Sequence, residues 1–296
     1  MATRASAENP FYYILDMNFV KFSVLSTALL WLCSCDSNSV SLAFNTQNAP
    51  VQKFTLEASL NVFAPEDSTH ESPESMETRL NAQSTLSQTV AFDNGSARFE
   101  MKIDTVDYKS DKRSVEEFRY IEKYLASQHF QFKMMGDGSM SDPSVEDQAL
   151  QPGTEELNLM KVFMKIQPVL PGSPVKLGDV WERSVEIPGN GSMTTVYKAF
   201  KLEDVFVHDG VQMAKIGMNI KYKEIPDTTA NVRMESKGFI VGSGSILFDI
   251  THGVVQSGNL EISGHIDVND VIAAQLLPNM HIIQKIKLRG EIDQAN

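Results

Sequence analysis

The chain has little cysteine: two residues in 296, Cys33 and Cys35, both near the N-terminus. From Asp36 onward there is none, which excludes a disulfide framework, a cysteine nucleophile and cysteine-rich zinc or iron–sulfur sites from the body of the protein. Histidine is sparse and scattered. His70, His129, His208, His252, His265 and His281 include no His-x-x-x-His pair and no His-Glu-x-x-His helix, so no metal site is expected. Basic charge is also short, with 26 Lys and Arg against 38 Asp and Glu and a formal charge of −12. Such a chain repels phosphate backbones, so no nucleic-acid partner is expected. A serine nucleophile elbow is missing: the nearest string, Gly242-Ser243-Gly244-Ser245, has serine at its second position and lies in a strand-like run. No Lys-Ser or Lys-Thr follows those glycines to form a phosphate cradle. The acidic pairs Glu116-Glu117 and Glu155-Glu156 fall at helix N-termini, where negative charge is favourable without catalysis. Neither an enzymatic activity nor a cofactor is expected.

What the N-terminus does have is an apolar run, Phe22 to Leu32, behind Lys21. At about eleven residues it is too short for a bilayer core that needs roughly twenty, and it suits the apolar core of a signal peptide. It ends in Leu32-Cys33-Ser34-Cys35, which resembles the lipobox at which bacterial lipoprotein precursors are lipidated and then cut before the cysteine. The resemblance implies a signal region over residues 1–34 and palmitate-type acyl chains on Cys35. The mature protein would then be anchored in the bacterial cell envelope, facing the periplasm or the cell exterior. An uncleaved N-terminal anchor is the alternative. Sixteen residues, among them Glu8 and Asp16, precede Met17 and do not suit a signal peptide, so translation is expected to start at Met17. Asp36 resembles the residue that holds some lipoproteins at the inner membrane. Residues 35–50, rich in Ser, Asn and Gln, read as a flexible lipidated tether. Residues 51–296 read as a single antiparallel β-rich domain, long enough to bury a substantial core.

That domain is dominated by strict alternation. Phe54, Leu56, Ala58, Leu60 and Val62 share one face of a strand whose other face carries Lys53, Thr55, Glu57, Ser59 and Asn61. Asn94-Gly95 predicts a type I′ hairpin turn that sets Phe92 against Ala97, Val90 against Phe99 and Leu86 against Ile103. Asp209-Gly210 predicts a second hairpin, with Ala214, Ile216, Met218, Ile220 and Tyr222 facing inward on the return strand. Gly136-Asp137-Gly138 predicts a third turn, and Pro65 to Glu77 an acidic loop. Near the C-terminus Leu260, Ile262, Gly264, Ile266 and Val268 alternate with polar residues, as do Ile282, Gln284, Ile286, Leu288 and Ile292 on a closing strand. The glycines at 238, 242 and 244 predict bends or bulges in a strongly curved sheet.

Helical signals are few. Ser114-Val115-Glu116-Glu117 matches a capping box, and Val115, Phe118, Ile121 and Leu125 form the stripe of the helix it starts. Thr154 predicts the cap of a second helix, apolar almost all round from Leu157 to Ile166, and Asn269 or Asp270 that of a short third one. Roughly nine to eleven one-sided strands with two or three helices predict a curved antiparallel sheet or half-barrel, with the helices on its concave face. A crevice between helix and sheet is the expected home of an apolar ligand. Val162, Phe163 and Ile166 would face Leu260, Ile262, Ile266, Ile286 and Leu288 across it. The alternative is an interior that the helices fill completely.

One local motif remains, Pro174-Val175-Lys176-Leu177-Gly178-Asp179-Val180-Trp181, a tight turn leading into a strand that can bury Trp181. Together with Gly242, Gly244, Phe248, Asp249 and Gly253, it resembles poorly characterised exported lipoproteins of bacteria that carry a Pro-Val-x-x-Gly-Asp-x-Trp turn ahead of long hairpins. The resemblance covers about residues 170 to 268 and implies a structural role for Pro174, Gly178, Asp179 and Trp181. In architecture the chain is similar to half-barrel carriers of lipids and lipoproteins, a fold-level analogy. The expected function is that of a non-enzymatic, lipid-anchored envelope lipoprotein binding an apolar ligand such as an acyl chain. The first alternative is a structural or assembly lipoprotein that binds another envelope protein; the second is an enzyme with an unrecognised site.

Overall fold

The computed structural model describes residues 39–63, 75–111, 114–126, 128–145, 159–188, 193–222, 236–268 and 280–293. The chain divides into two units, Met1–Ser39 and Val40–Asn296, and the second carries the fold. Eleven strands form one antiparallel sheet: β2 (Gln52–Phe63), β3 (Ser75–Ala91), β4 (Ser96–Ser110), β5 (His129–Met135), β6 (Met140–Val145), β8 (Val180–Pro188), β9 (Met193–His208), β10 (Val211–Tyr222), β11 (Ser236–Asp249), β12 (Val254–Val268) and β13 (Met280–Ile292). The two-residue strands β1 (Ser39–Val40) and β7 (Val175–Lys176) lie outside it, and the helices are α1 (Val115–Ala126) and α2 (Leu159–Ile166).

Across the sheet the order is β6-β5-β4-β3-β2-β13-β12-β11-β10-β9-β8. Along the chain this makes two meanders, β2 to β6 and β8 to β13. They join in the middle, where the first long strand pairs with the last, Gln52 opposite Ile292 and Val62 opposite Ile282. With β6 and β8 left as edges, the sheet curves without closing into a barrel, as the one-sided strands predict.

Alternation explains the curvature. On β2 Phe54, Leu56, Ala58 and Leu60 are buried while Lys53 and Glu57 are exposed, and each buried side chain of Leu size contributes about 1.5–3 kcal/mol. One apolar face this large must wrap around a filler, and α2 is that filler. Leu159, Met160, Val162, Phe163, Met164 and Ile166 are all buried. The Phe163 ring meets Phe54 edge-on at 5.8 Å and Phe132 at 6.2 Å. A cap at Thr154 and a third helix at Asn269 or Asp270 lie outside the described residues. On α1 the capping box is formed: the Ser114 amide donates to the Glu117 carboxylate at 2.8 Å, and the Glu117 amide donates to Ser114 Oγ at 3.3 Å. Ile121 and Leu125 are buried, and Phe118 packs edge-on against Tyr108.

The hairpins divide by turn chemistry. Asp209 (φ 50°) and Gly210 (φ 81°) both adopt the left-handed conformation, and His208 pairs with Val211, a two-residue turn. At Asn94-Gly95 only Gly95 has positive φ. The Asn94 side-chain oxygen accepts from the Ser96 amide and hydroxyl, and the Phe92 amide donates to the Ser96 carbonyl, so the loop takes in Asp93 and has three residues. Pairing therefore starts one residue early, with Ala91 opposite Ala97. A bulge between Gln88 and Val90 then sets Gln88 against Phe99 and Leu86 against Met101, which corrects the register expected from a type I′ turn.

The larger correction concerns the tether. Leu42, Phe44 and Thr46 are buried. The Phe44 amide donates to the Gly136 carbonyl at 2.7 Å and the Asn45 amide to the Gly253 carbonyl at 3.0 Å, while Thr46 Oγ1 donates to the Gly95 carbonyl at 3.0 Å. The segment is thus stitched across three hairpin turns and plugs that end of the hollow, with the Phe44 ring edge-on to Phe248 at 5.1 Å. The domain begins at Val40, not at residue 51. No helix among the described residues is long and apolar enough to cross a membrane.

Candidate functional site

Of the eight residues expected around a crevice, seven are buried at 4% exposure or less: Val162, Phe163, Ile166, Leu260, Ile262, Ile286 and Leu288. Most of them form solid core. Ile166 lies over Gly258, where an added Cβ would stand 3.1 Å from its Cδ1, so helix packs on bare strand backbone with no crevice between. Ile266 pairs through its backbone with Gly238 and Met280, and its side chain lies outside the described residues.

An unfilled apolar space remains further along, toward the strand ends opposite the plug. This pocket of about 190 Å³ takes Leu60 from β2, Ile282 and Gln284 from β13, Ile262 from β12, Ile240 from β11, Tyr222 from β10 and Lys165 from α2. Among the seven expected residues whose side chains are described, only Ile262 lines it. Register shows how the walls arise. Gln284 stands between Leu60 and Ile262, and in the next row inward-facing Gly264 stands between Ile282 and Ile240. A Cβ on Gly264 would meet Ile240 Cγ1 at 2.9 Å, so glycine lets the isoleucines lean over bare backbone.

Three polar groups reach this apolar space. Lys165 Nζ donates to Gln284 Oε1 at 2.8 Å and stands 5.9 Å from the centre of the Tyr222 ring, within cation–π range. The Tyr222 hydroxyl is buried and has no hydrogen-bond partner among the described residues. Burial holds its phenol above the ordinary value, so it remains a donor. Buried polar groups are nearly always partnered, and an orphan marks a position that a water or ligand completes.

A second inward-facing polar residue fixes the helix. Lys198 on β9, 1% exposed, donates from Nζ to the carbonyls of Met164 and Gln167, both at 2.8 Å. These are acceptors at the C-terminus of α2, where a cation also meets the negative end of the helix dipole. Desolvation by burial lowers its ammonium to about 7. Lys198 thereby sets where α2, and with it Lys165, sits. Sequence reasoning missed this residue and Gln284. Their signal was a polar residue inside an inward row, Lys198 between Val196 and Phe200 and Gln284 between Ile282 and Ile286.

The Pro174-to-Trp181 motif does mechanical work. Gly178 (φ 89°) turns the chain so that the Asp179 amide donates to the Lys176 carbonyl at 3.0 Å, while the Asp179 carboxylate accepts from the Lys176 amide at 2.8 Å. The turn docks on β9 through Gly178 N to Leu202 O and Leu202 N to Asp179 O. Trp181 stacks on Phe200 at 5.6 Å and donates from Nε1 to the Val169 carbonyl at 2.8 Å, tying edge strand β8 to the segment after α2. Pro174 is exposed at the head of the motif.

A larger hollow lies elsewhere, a groove of about 530 Å³ among Glu57, Lys215, Lys287, Arg289 and Glu291 on the outer face. Its walls are of mixed charge and unsuited to an apolar ligand. His252 Nδ1 lies 2.6 Å from the Asp249 carboxylate within the β11–β12 turn. Among the described residues no group of three His, Cys, Asp or Glu could hold a metal ion. Cys35 lies outside the described residues.

No family model matches the chain, and no curated protein matches it. Among solved structures it is similar to one described as "Lipid-protein interactions in lipovitellin". The identity is 13% and the TM-score 0.49, covering 85% of this chain and 26% of that one. The chain therefore spans about a quarter of that protein's length, and a superposition this loose carries no inference about function.

Proposed function

We propose that this chain is a non-enzymatic protein of the bacterial cell envelope, held to a membrane by acyl chains on Cys35, that binds an apolar ligand such as an acyl chain. The observation that carries the binding part is the pocket of about 190 Å³ walled by Leu60, Ile240, Ile262 and Ile282. Engineered apolar cavities of about 150 Å³ stay dry and take up benzene, whereas sites for drug-sized ligands start near 300 Å³. The space therefore suits a length of hydrocarbon and not a whole lipid. Anchoring rests on the lipobox-like Leu32-Cys33-Ser34-Cys35 alone.

Native mass spectrometry of the chain purified from its host, followed by solvent extraction, tests the binding part. The expected result is a co-purifying apolar molecule, or uptake of the neutral probe N-phenyl-1-naphthylamine that Ile240→Trp suppresses by filling the pocket. Absence of both rejects it. For the anchor, radiolabelled palmitate is expected to enter the wild-type chain and not Cys35→Ser; equal labelling of the two rejects Cys35 as the attachment site.

A second reading, assembly with another envelope protein, is favoured by apolar residues on the outer face. Phe239 is 59% exposed and shares its strand face with Val241, whose row continues through Lys221 to the exposed Tyr197. Under this reading Phe239→Glu abolishes a specific cross-link that forms in intact cells and leaves probe uptake untouched.

A further inference from the structure

The groove on the outer face, between β13 and β10, holds charges that the sheet leaves without partners. Its volume of about 530 Å³ falls within the range of small-molecule sites. Register explains its shape: Arg289, Ser257, Leu247 and Lys215 form one row across four strands, and Lys287, Asn259, Ser245 and Gly217 the next. Long charged side chains on β13 and β10 thus wall a floor of serine, asparagine and one leucine. Lys287 stands opposite Glu57, and Lys215 is bonded to Glu203 at 3.0 Å. Arg289, by contrast, has Thr55 and Ser257 across its two ladders, so no carboxylate stands directly opposite it. Glu291 stands opposite Lys53, which is bonded to Asp293 instead. Arg289 and Glu291 are two residues apart on one face, the spacing that makes ion pairs at Glu77–Arg79 (2.7 Å) and Asp107–Lys109 (3.1 Å). Here neither makes an ion pair or hydrogen bond among the described residues, and both line the groove. On the floor the Ser245 amide and hydroxyl both donate to Asn259 Oδ1, at 2.8 and 3.0 Å, which leaves the Asn259 amide nitrogen free to donate.

We propose that this groove is a binding site, separate from the apolar pocket, for a small hydrophilic zwitterion. Its phosphate is held by the Arg289 guanidinium, whose planar fork suits phosphate oxygens, and its ammonium by Glu291. With Ser257 and Asn259 as further donors beside Arg289, a phosphate meets the site better than a carboxylate, which has fewer oxygens. Side chains on one face of a strand stand about 7 Å apart, so a link of about two carbons joins the two charges. Free phosphoethanolamine and the head group of a lipid share this chemistry.

Calorimetric titration at low ionic strength, where exposed charges are least screened, tests this with O-phosphoethanolamine and with ethyl phosphate, which lacks the ammonium. Phosphoethanolamine is expected to bind about fivefold more tightly. Glu291→Gln is expected to remove that preference and Arg289→Gln to weaken both compounds about fivefold, while Ile240→Trp, which fills the apolar pocket, changes neither. Flotation with phosphatidylcholine vesicles only when phosphatidylethanolamine is added, and its loss in Arg289→Gln, would assign the lipid head group; soluble binding without flotation would assign the free compound. Equal affinity of the wild type for the two soluble compounds, or phosphoethanolamine affinity unmoved in Glu291→Gln or in Arg289→Gln, overturns the assignment. So does an absence of binding in both formats, and none of these outcomes touches the apolar pocket.

Discussion

Lys198 stands where the alternation of β9 calls for an apolar residue, and it stays because α2 ends above it. Two carbonyls at 2.8 Å accept from two of its three donors, yet burial lowers the ammonium from 10.5 to about 7. The sign of the linkage follows. Between about pH 7 and 10 the unfolded chain holds a proton that the folded chain has shed, so stability rises with pH across that window, by at most about 1.4 kcal/mol per unit for one proton. Below pH 7 both states are charged, and the cost of the buried ammonium is fully present. Urea unfolding of the wild type and Lys198→Met from pH 6 to 10 reads this directly. The difference between the two is expected to shift in favour of the wild type as pH rises. A pH-independent difference would show that Lys198 keeps its ordinary ionisation. The pocket residues belong to the same class: Gln284 and Tyr222 are visible in the sequence as inward-facing polar tips, but alternation tells only which face a residue occupies. Whether that face is filled by helix or left open depends on where α2 ends, which no strand pattern encodes.

At the scale of elements, period-two runs identified the long strands because each side of a curved sheet has a different solvent. The capping box likewise marked α1, being a purely local exchange of hydrogen bonds. Asn94-Gly95 misled on register because the Asn94 side chain bonded Ser96 in place of adopting the turn geometry its type permits. The segment before β2 misled more. Its Ser, Asn and Gln content reads as solvated chain, whereas the informative feature was the spacing of Leu42, Phe44 and Thr46. Its role as a plug predicts that Phe44→Ala costs about 3–5 kcal/mol in urea unfolding, since a buried aromatic leaves a cavity against Phe248. The exposed Asn48→Ala is expected to cost well under 1 kcal/mol. Equal small effects would return the segment to the status of a tether.

For the molecule as a whole, the join of β2 with β13 matters most. It holds two meanders together through one ladder, sealed at its end by the Asp293 amide donating to the Val51 carbonyl and by the Lys53–Asp293 ion pair. The ion pair is solvent-exposed and contributes little; the ladder and the core beneath it carry the join. Removing residues 280–296 is therefore expected to abolish the single cooperative unfolding transition and to expose both meanders to limited proteolysis. A truncated chain that still melted in one sharp step would show that each half is stable without the other.

The strand that completes the centre of this sheet is also the last of its eleven in chain order. Until Met280–Ile292 emerges from the ribosome, each nascent half carries an unpaired central rim, so the final architecture waits for that one strand.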